Sequence, residues 1–120
     1  DAHHYILLGD ETAIPAIRQM IDAIPDATRV TVHIETVAPD ARLELPAHPR
    51  LSITWHNAEA SAPPCSQIRE AIRGLGVDDS TRVWAAGEAA AVQAIRKYLF
   101  NERSVPRRHT SIRGYWKVPR

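Results

Sequence analysis

The sequence lacks most of the features that usually disclose function. One cysteine, Cys65, stands among 120 residues. That excludes an intramolecular disulfide and any multi-cysteine metal site, and it fits a reducing, cytoplasmic compartment. The formal net charge is only +1, so no general electrostatic attraction to nucleic acid or a membrane surface is expected. No apolar run approaches the roughly 18 residues of a membrane helix, and neither membrane insertion nor a signal peptide is expected. There is no G-x-G-x-x-G, no G-x-x-x-x-G-K-[ST], no H-E-x-x-H, no C-x-x-C and no G-x-S-x-G. His3 and His4 adjoin one another; His33, His48, His56 and His109 are scattered. Without ligand spacing they read as surface or strand-end histidines. No internal repeat or low-complexity segment occurs.

What is present is an ordinary globular composition, 44% hydrophobic and 24% charged, long enough for one domain with a real core. The organising stretch runs from His4 to Ile17. Tyr5 to Leu8 is a short apolar run, as in a strand covered on both faces. Gly9 breaks it and permits close backbone approach. Asp10 or Thr12 can cap the helix that follows, with Pro15 in its first turn. This puts a helix N-terminus at the carboxyl end of a strand, where open α/β sheets bind ligands and bare N–H groups favour phosphate. Asp10 and Glu11 place negative charge where that phosphate would come. An ordinary β–α turn with acids on the helix dipole explains the same residues.

The pattern then alternates. A helix is predicted from about Thr12 to Ile24, with Ile14, Ile17, Ile21 and Ile24 on one stripe. Val30, Val32 and Ile34 alternate with polar residues in a strand from Arg29 to Glu35. Glu35 is expected to be a solvated strand-end acid, the alternative being a ribose ligand. Thr36 to Arg50 is a long proline-bearing connection. Leu51 to Trp55 is a third strand, and Asn57 to Pro64 a loop. Ser66 can cap a helix carrying Ile68, Ile72 and Leu75, which Gly74 and Gly76 end. Arg82 to Ala86 is a fourth strand, and Ala89 to Asn101 a helix with Val92, Ile95 and Leu99 on one face. Thr110 to Arg113 forms a last strand, followed by Gly114-Tyr115-Trp116-Lys117. Cys65 reads as incidental, with nothing to depress its pKa.

Alternating strands and helices predict a three-layer α/β sandwich around a parallel sheet. The apolar strands near Leu7 and Ala85 belong in the centre, and those at Leu51 and Ser111 at the edges. Strand order 3-2-1-4-5 satisfies this. It sets Gly9-Asp10-Glu11 beside Gly87-Glu88 at the topological switch point, framing one crevice. Arg107, Arg108, Arg113, Lys117 and Arg120 make the C-terminal end basic, either as a solvated end or as an anion-binding rim. Tyr115 and Trp116 can stack on a planar ligand or pack on the sheet.

Three ordered phrases carry a resemblance: Leu8-Gly9-Asp10-Glu11-Thr12-Ala13-Ile14-Pro15-Ala16-Ile17, Val83-Trp84-Ala85-Ala86-Gly87-Glu88-Ala89 and Arg113-Gly114-Tyr115-Trp116. Together they resemble the siderophore-interacting protein family, flavin-dependent ferric-siderophore reductases related to ferredoxin–NADP reductases. The resemblance spans the chain but only the family's C-terminal half. It implies a Rossmann-like, ferredoxin–NADP reductase-like domain over residues 1–120 that binds NADPH or NADH. The FAD-binding barrel, with its Arg-x-Tyr-[Thr/Ser] pattern, is absent from this stretch. By the resemblance, Gly9, Asp10, Glu11, Thr12 and Ala13 face the nucleotide. Gly87 and Glu88 form the other wall, and Tyr115 and Trp116 lie toward the flavin. Arg113 and Lys117 attract an anionic ferric siderophore. The implied activity is reduction of Fe(III) to Fe(II), with cofactors carrying the chemistry and no side chain acting as acid or base. The implied partners are the FAD-loaded barrel and the siderophore, with self-association as the fate of an uncovered aromatic patch. The competing reading is a non-enzymatic, partner-binding or regulatory module of the same fold. A small-molecule transferase has no residue support.

Overall fold

A computed structural model describes residues 2–119; Arg120 of the basic end lies outside them. Five strands form one sheet: β1 (His4–Asp10), β2 (Arg29–Thr36), β3 (Leu51–Asn57), β4 (Thr81–Glu88) and β5 (Thr110–Trp116). All neighbours are parallel, in the order β3-β2-β1-β4-β5. The predicted order therefore holds, for the predicted reason. β1 carries Ile6 and Leu8 to one face and Leu7 to the other, all fully buried, which suits only a central strand. β3 alternates half-buried and exposed residues, as an edge strand does.

The two faces are covered by different helices. α1 (Ile14–Ala23) lays Ile14, Ile17 and Ile21 against Leu7, Val30, Val32, Ile34 and Ala86. α2 (Ser66–Arg73) and α3 (Ala89–Lys97) bring Ile68, Ile72, Val92 and Ile95 to Ile6, Leu8, Val83 and Ala85 on the opposite face. Each buried Leu, Ile or Val contributes about 1.5–3 kcal/mol of burial free energy, and both layers are continuous.

Several boundaries differ from expectation. The first helix opens as a 3-10 turn, Glu11–Ala13, before α1 begins. The third predicted helix winds as α only to Lys97. It then loosens into a π-helical turn, Tyr98–Glu102, that still buries Leu99. Ser66 is not a cap but the first residue of α2; Cys65 precedes it with φ 64 and ψ 19, left-handed for a residue with a side chain. The last strand extends past Arg113 to Trp116, with a register shift that pairs Gly87 with Gly114 but Glu88 with Trp116. Tyr115 is the extra residue. Such a bulge twists the strand and re-aims the side chains beyond it.

Candidate functional site

Each of the three internal strands ends in a buried acid. Asp10 ends β1, Glu35 lies one residue before the end of β2, and Glu88 ends β4; they are 8%, 3% and 4% exposed. None has an ion-pair partner among the described residues. A buried carboxylate without a counter-ion needs hydrogen-bond donors instead, and the helix-opening turns at this edge supply them, for Glu35 the turn before α2, which follows β3. Asp10 Oδ1 accepts from the Thr12 N–H at 3.0 Å and the Thr12 hydroxyl at 2.5 Å. Glu35 accepts from the Cys65 and Gln67 N–H groups, both at 2.8 Å. Glu88 accepts from Ala90 at 2.9 Å and Ala91 at 3.0 Å.

The expectation of a solvated Glu35 is thus corrected. Its carboxylate fills the concavity made by successive N–H groups at the start of α2, a nest that the left-handed Cys65 helps to shape. Cys65 is not incidental either. Its thiol points at Asp10 Oδ2, 3.6 Å away. Burial first, and then the Asp10 carboxylate, push the thiol's pKa from 9.0 to about 12. It is a protonated packing group at neutral pH and no nucleophile.

Asp10 joins four segments. Besides Thr12 and Cys65, its Oδ2 accepts from the Glu88 N–H at 3.1 Å and the Trp116 indole N–H at 2.8 Å. The bulge at Tyr115 is what brings Trp116, on an edge strand, over the end of β1. This arrangement corrects the expected crevice. The Gly9 and Gly87 turns do lie side by side, but the space between them is filled. A Cβ on Gly87, whose φ is +153°, would sit 2.7 Å from Asp10 Oδ2. A Cβ on Gly9 would sit 2.5 Å from the Ala13 Cβ and 3.2 Å from the Ala86 carbonyl oxygen. Both glycines serve packing within the protein.

The open space lies one strand over, at the carboxyl ends of β1 and β2. It is a cleft of about 500 Å³, within the usual range of small-ligand sites. Asp10, Thr12, Glu35 and Cys65 line it. So do Glu11 with Val37, the segment from Ala58 to Pro64, and Trp116. Glu11 accepts a hydrogen bond from the Val37 N–H and so ties the turn after β1 to the chain leaving β2. Of the expected site residues, the structure brings Asp10, Glu11, Thr12 and Trp116 together around the cleft. Gly9, Ala13, Gly87 and Glu88 are buried and line no part of it. Tyr115 is 44% exposed and meets Trp84 edge-on, with ring centroids 6.4 Å apart. Arg113 and Lys117 are exposed and outside the lining.

Sequence reasoning missed the wall from Ala58 to Pro64, a loop with no motif. The signal it could have used was the acid near the end of every internal strand.

The five-stranded parallel sheet with helices on both faces is the fold of ferredoxin–NADP reductase-like α/β domains. The siderophore-interacting protein family matches residues 2–118, and the chain belongs to it. It is similar to a siderophore utilization protein from T. fusca, a crystal structure with a TM-score of 0.85 and 34% identity. That alignment covers 98% of this chain and 46% of the other. It is 25% identical to ferric vibriobactin reductase ViuB of Vibrio cholerae, over 97% of this chain and 44% of the relative. It is 28% identical to the mycobactin import ATP-binding/permease protein IrtA of Mycobacterium tuberculosis, over 97% of this chain and 13% of that one. The chain therefore spans less than half of each of these relatives. Among the described residues, no helix is long and apolar enough to cross a membrane.

Proposed function

We propose that the chain is the pyridine-nucleotide half of a flavin-dependent ferric-siderophore reductase, which releases iron by reducing Fe(III) to Fe(II). The other half would be an FAD-binding barrel, and the reductase would be cytoplasmic. The observation that carries this reading is the cleft at the carboxyl edge, walled on one side by Trp116, which Asp10 holds in place, with Tyr115 exposed beside it.

The cleft fits one end of the nucleotide. Val37, Pro63, Pro64 and Trp116 offer apolar surface to a nicotinamide ring. The carboxylates of Glu11 and Glu59 at the rim can accept hydrogens from ribose hydroxyls and the carboxamide. When bound, the nicotinamide supplies a hydride and the flavin divides it into single electrons for iron.

The chain's own residues have simpler tasks. Trp116 orients a planar ring and shields it from water. The Glu11–Val37 bond holds the wall. The Cys65 thiol stays protonated and takes no part. Arg113 and Lys117, both exposed, favour approach of an anionic ferric chelate.

A second reading, a partner-binding module without catalysis, draws on the acids that fill the turns.

The test is reconstitution. Hydride transfer needs the two rings at about 3–3.5 Å, and this chain offers one wall. Alone with FAD, NADPH or NADH and a ferric siderophore, it should give no Fe(II) above the protein-free flavin control, as followed with a chelating dye. Adding an FAD-loaded family barrel should restore nucleotide-dependent reduction. Substantial turnover by the chain alone would contradict the two-domain reading. A correctly folded mixture that never turns over would favour the module.

A further inference from the structure

The helix N-termini at the carboxyl edge of a Rossmann-like sheet are its usual phosphate sockets, because they present bare N–H groups at the positive end of the helix dipole. Here a buried carboxylate already takes N–H donors at each, in the case of α1 at the 3-10 turn that opens it. The Thr12 N–H is taken by Asp10, the Cys65 and Gln67 N–H groups by Glu35, and the Ala90 and Ala91 N–H groups by Glu88. The glycines that would let a pyrophosphate approach are shut as well. The space a side chain would take at Gly9 is filled by Ala13 and the Ala86 carbonyl, and at Gly87 by Asp10. The occupants are buried and doubly hydrogen-bonded, so they are part of the fold and not movable surface groups.

We propose that Asp10, Glu35 and Glu88 are built-in anions that set the specificity of this edge: they exclude phosphate, so a dinucleotide enters by its nicotinamide riboside end and leaves its pyrophosphate outside the turns. An incoming phosphate would find the N–H groups of Thr12, Cys65, Gln67, Ala90 and Ala91 already taken and would meet a buried carboxylate at each turn. A neutral ring and its hydroxyls meet no such barrier, since carboxylates accept their hydrogens. The identity of the ligand rests on the reductase reading above; the exclusion of phosphate does not.

The test is an NMR titration of the 120-residue chain labelled with nitrogen-15. Inorganic pyrophosphate at several millimolar should leave the amides of Thr12, Cys65, Gln67, Ala90 and Ala91 unmoved. Reduced nicotinamide mononucleotide should shift Val37, the Ala58–Ala62 amides and the Trp116 indole. NADPH should bind no more than a few-fold tighter than the mononucleotide. In Glu35→Ala the α2 nest is vacated, and pyrophosphate should now bind there at least ten-fold tighter than to the wild type and raise the variant's melting temperature. If that variant is unfolded without anion, refolding on adding pyrophosphate reports the same vacancy.

Saturable shifts of those amides by pyrophosphate in the wild type would overturn the proposal, as would NADPH affinity lost on truncation to the mononucleotide. If neither nucleotide binds but pyrophosphate is still refused, the reductase reading fails and the exclusion stands.

Discussion

The two ends of the sheet each carry a cleft, of about 500 Å³ at the carboxyl edge and about 570 Å³ at the amino edge. They are close in size and opposite in character. The carboxyl cleft is lined by Asp10, Glu11, Glu35 and Glu59 among alanines, prolines and Trp116. The amino cleft is lined by Arg29, Arg50, Arg103, His3 and His4, with Asp78. At the first, Asp10 and Glu35 are buried and held by backbone donors. At the second, Arg29 and Arg50 are exposed, and Arg50 bonds only one carbonyl, that of Ala27, at 2.7 Å. Volume therefore does not single out the site. The carboxyl edge is distinguished because its buried acids are tied to the backbone where the helices begin, whereas Arg29 and Arg50 of the amino edge are exposed.

That difference can be broken by paired substitutions. Asp10→Ala strips the acceptor from the Thr12 and Glu88 N–H groups and the Trp116 indole. With charged hydrogen bonds contributing about 1.5–3 kcal/mol each, and partial relaxation, a loss of about 4 kcal/mol is expected. Arg50→Ala at the other edge should stay within about 0.5 kcal/mol of wild type. Urea unfolding of both variants decides it; equal losses would erase the contrast between the edges.

Gly9→Val comes next. The added side chain meets Ala13 and the Ala86 carbonyl, not the cleft. Overpacking of this kind costs about 3 kcal/mol. The sequence alone suggested that Gly9 admits a ligand, so that the variant would lose nucleotide binding more than stability. The structure reverses that expectation: the lost stability should show in the melting curve of the unliganded protein.

The architecture was legible from sequence because it rests on burial patterns that alternate or run continuously. Leu7 against Leu51 already ordered the strands. The turns were legible only as turns. That Asp10 bonds to Glu88 and Trp116 depends on partners 78 and 106 residues away, which no local pattern encodes. Glu35 was misread because a strand-end acid is usually solvated, and only the approach of Cys65 and Gln67 buries this one. The three family-like phrases led to residues around the site but not to the cleft itself, whose outer wall, Ala58 to Pro64, carries no recognisable motif.

A smaller effect separates the edges by pH. The Cys65 thiol is raised to about 12 in the fold from an ordinary 9.0. Above pH 9 the unfolded chain loses its proton while the folded chain keeps it, so stability falls as pH rises from 9 toward 12. Wild type compared with Cys65→Ala by urea unfolding between pH 8 and 10.5 should show this slope, and the thiol should resist alkylation until the chain unfolds. Parallel curves would detach Cys65 from the buried acids.

The smallest effect concerns His33 and His56, whose rings bond at 2.8 Å and stack 5.1 Å apart between β2 and β3. Burial lowers both pKa values, and for His33 the charge of His56 lowers it further. Below pH 6.5 the unfolded chain takes up protons that the folded pair resists, so stability falls as pH drops. His56→Gln should flatten that decline in a melting series from pH 7.5 to 5, and an unchanged decline would assign it to other groups.

The most direct test of the account is to map where NADPH lands on the nitrogen-15-labelled chain. Saturable shifts are expected at Val37, at the amides between Ala58 and Ala62 and at the Trp116 indole, with Arg29, Arg50 and Gly76 still. Shifts concentrated at Arg29, Arg50 and Gly76 instead would place the nucleotide on the basic edge and contradict it.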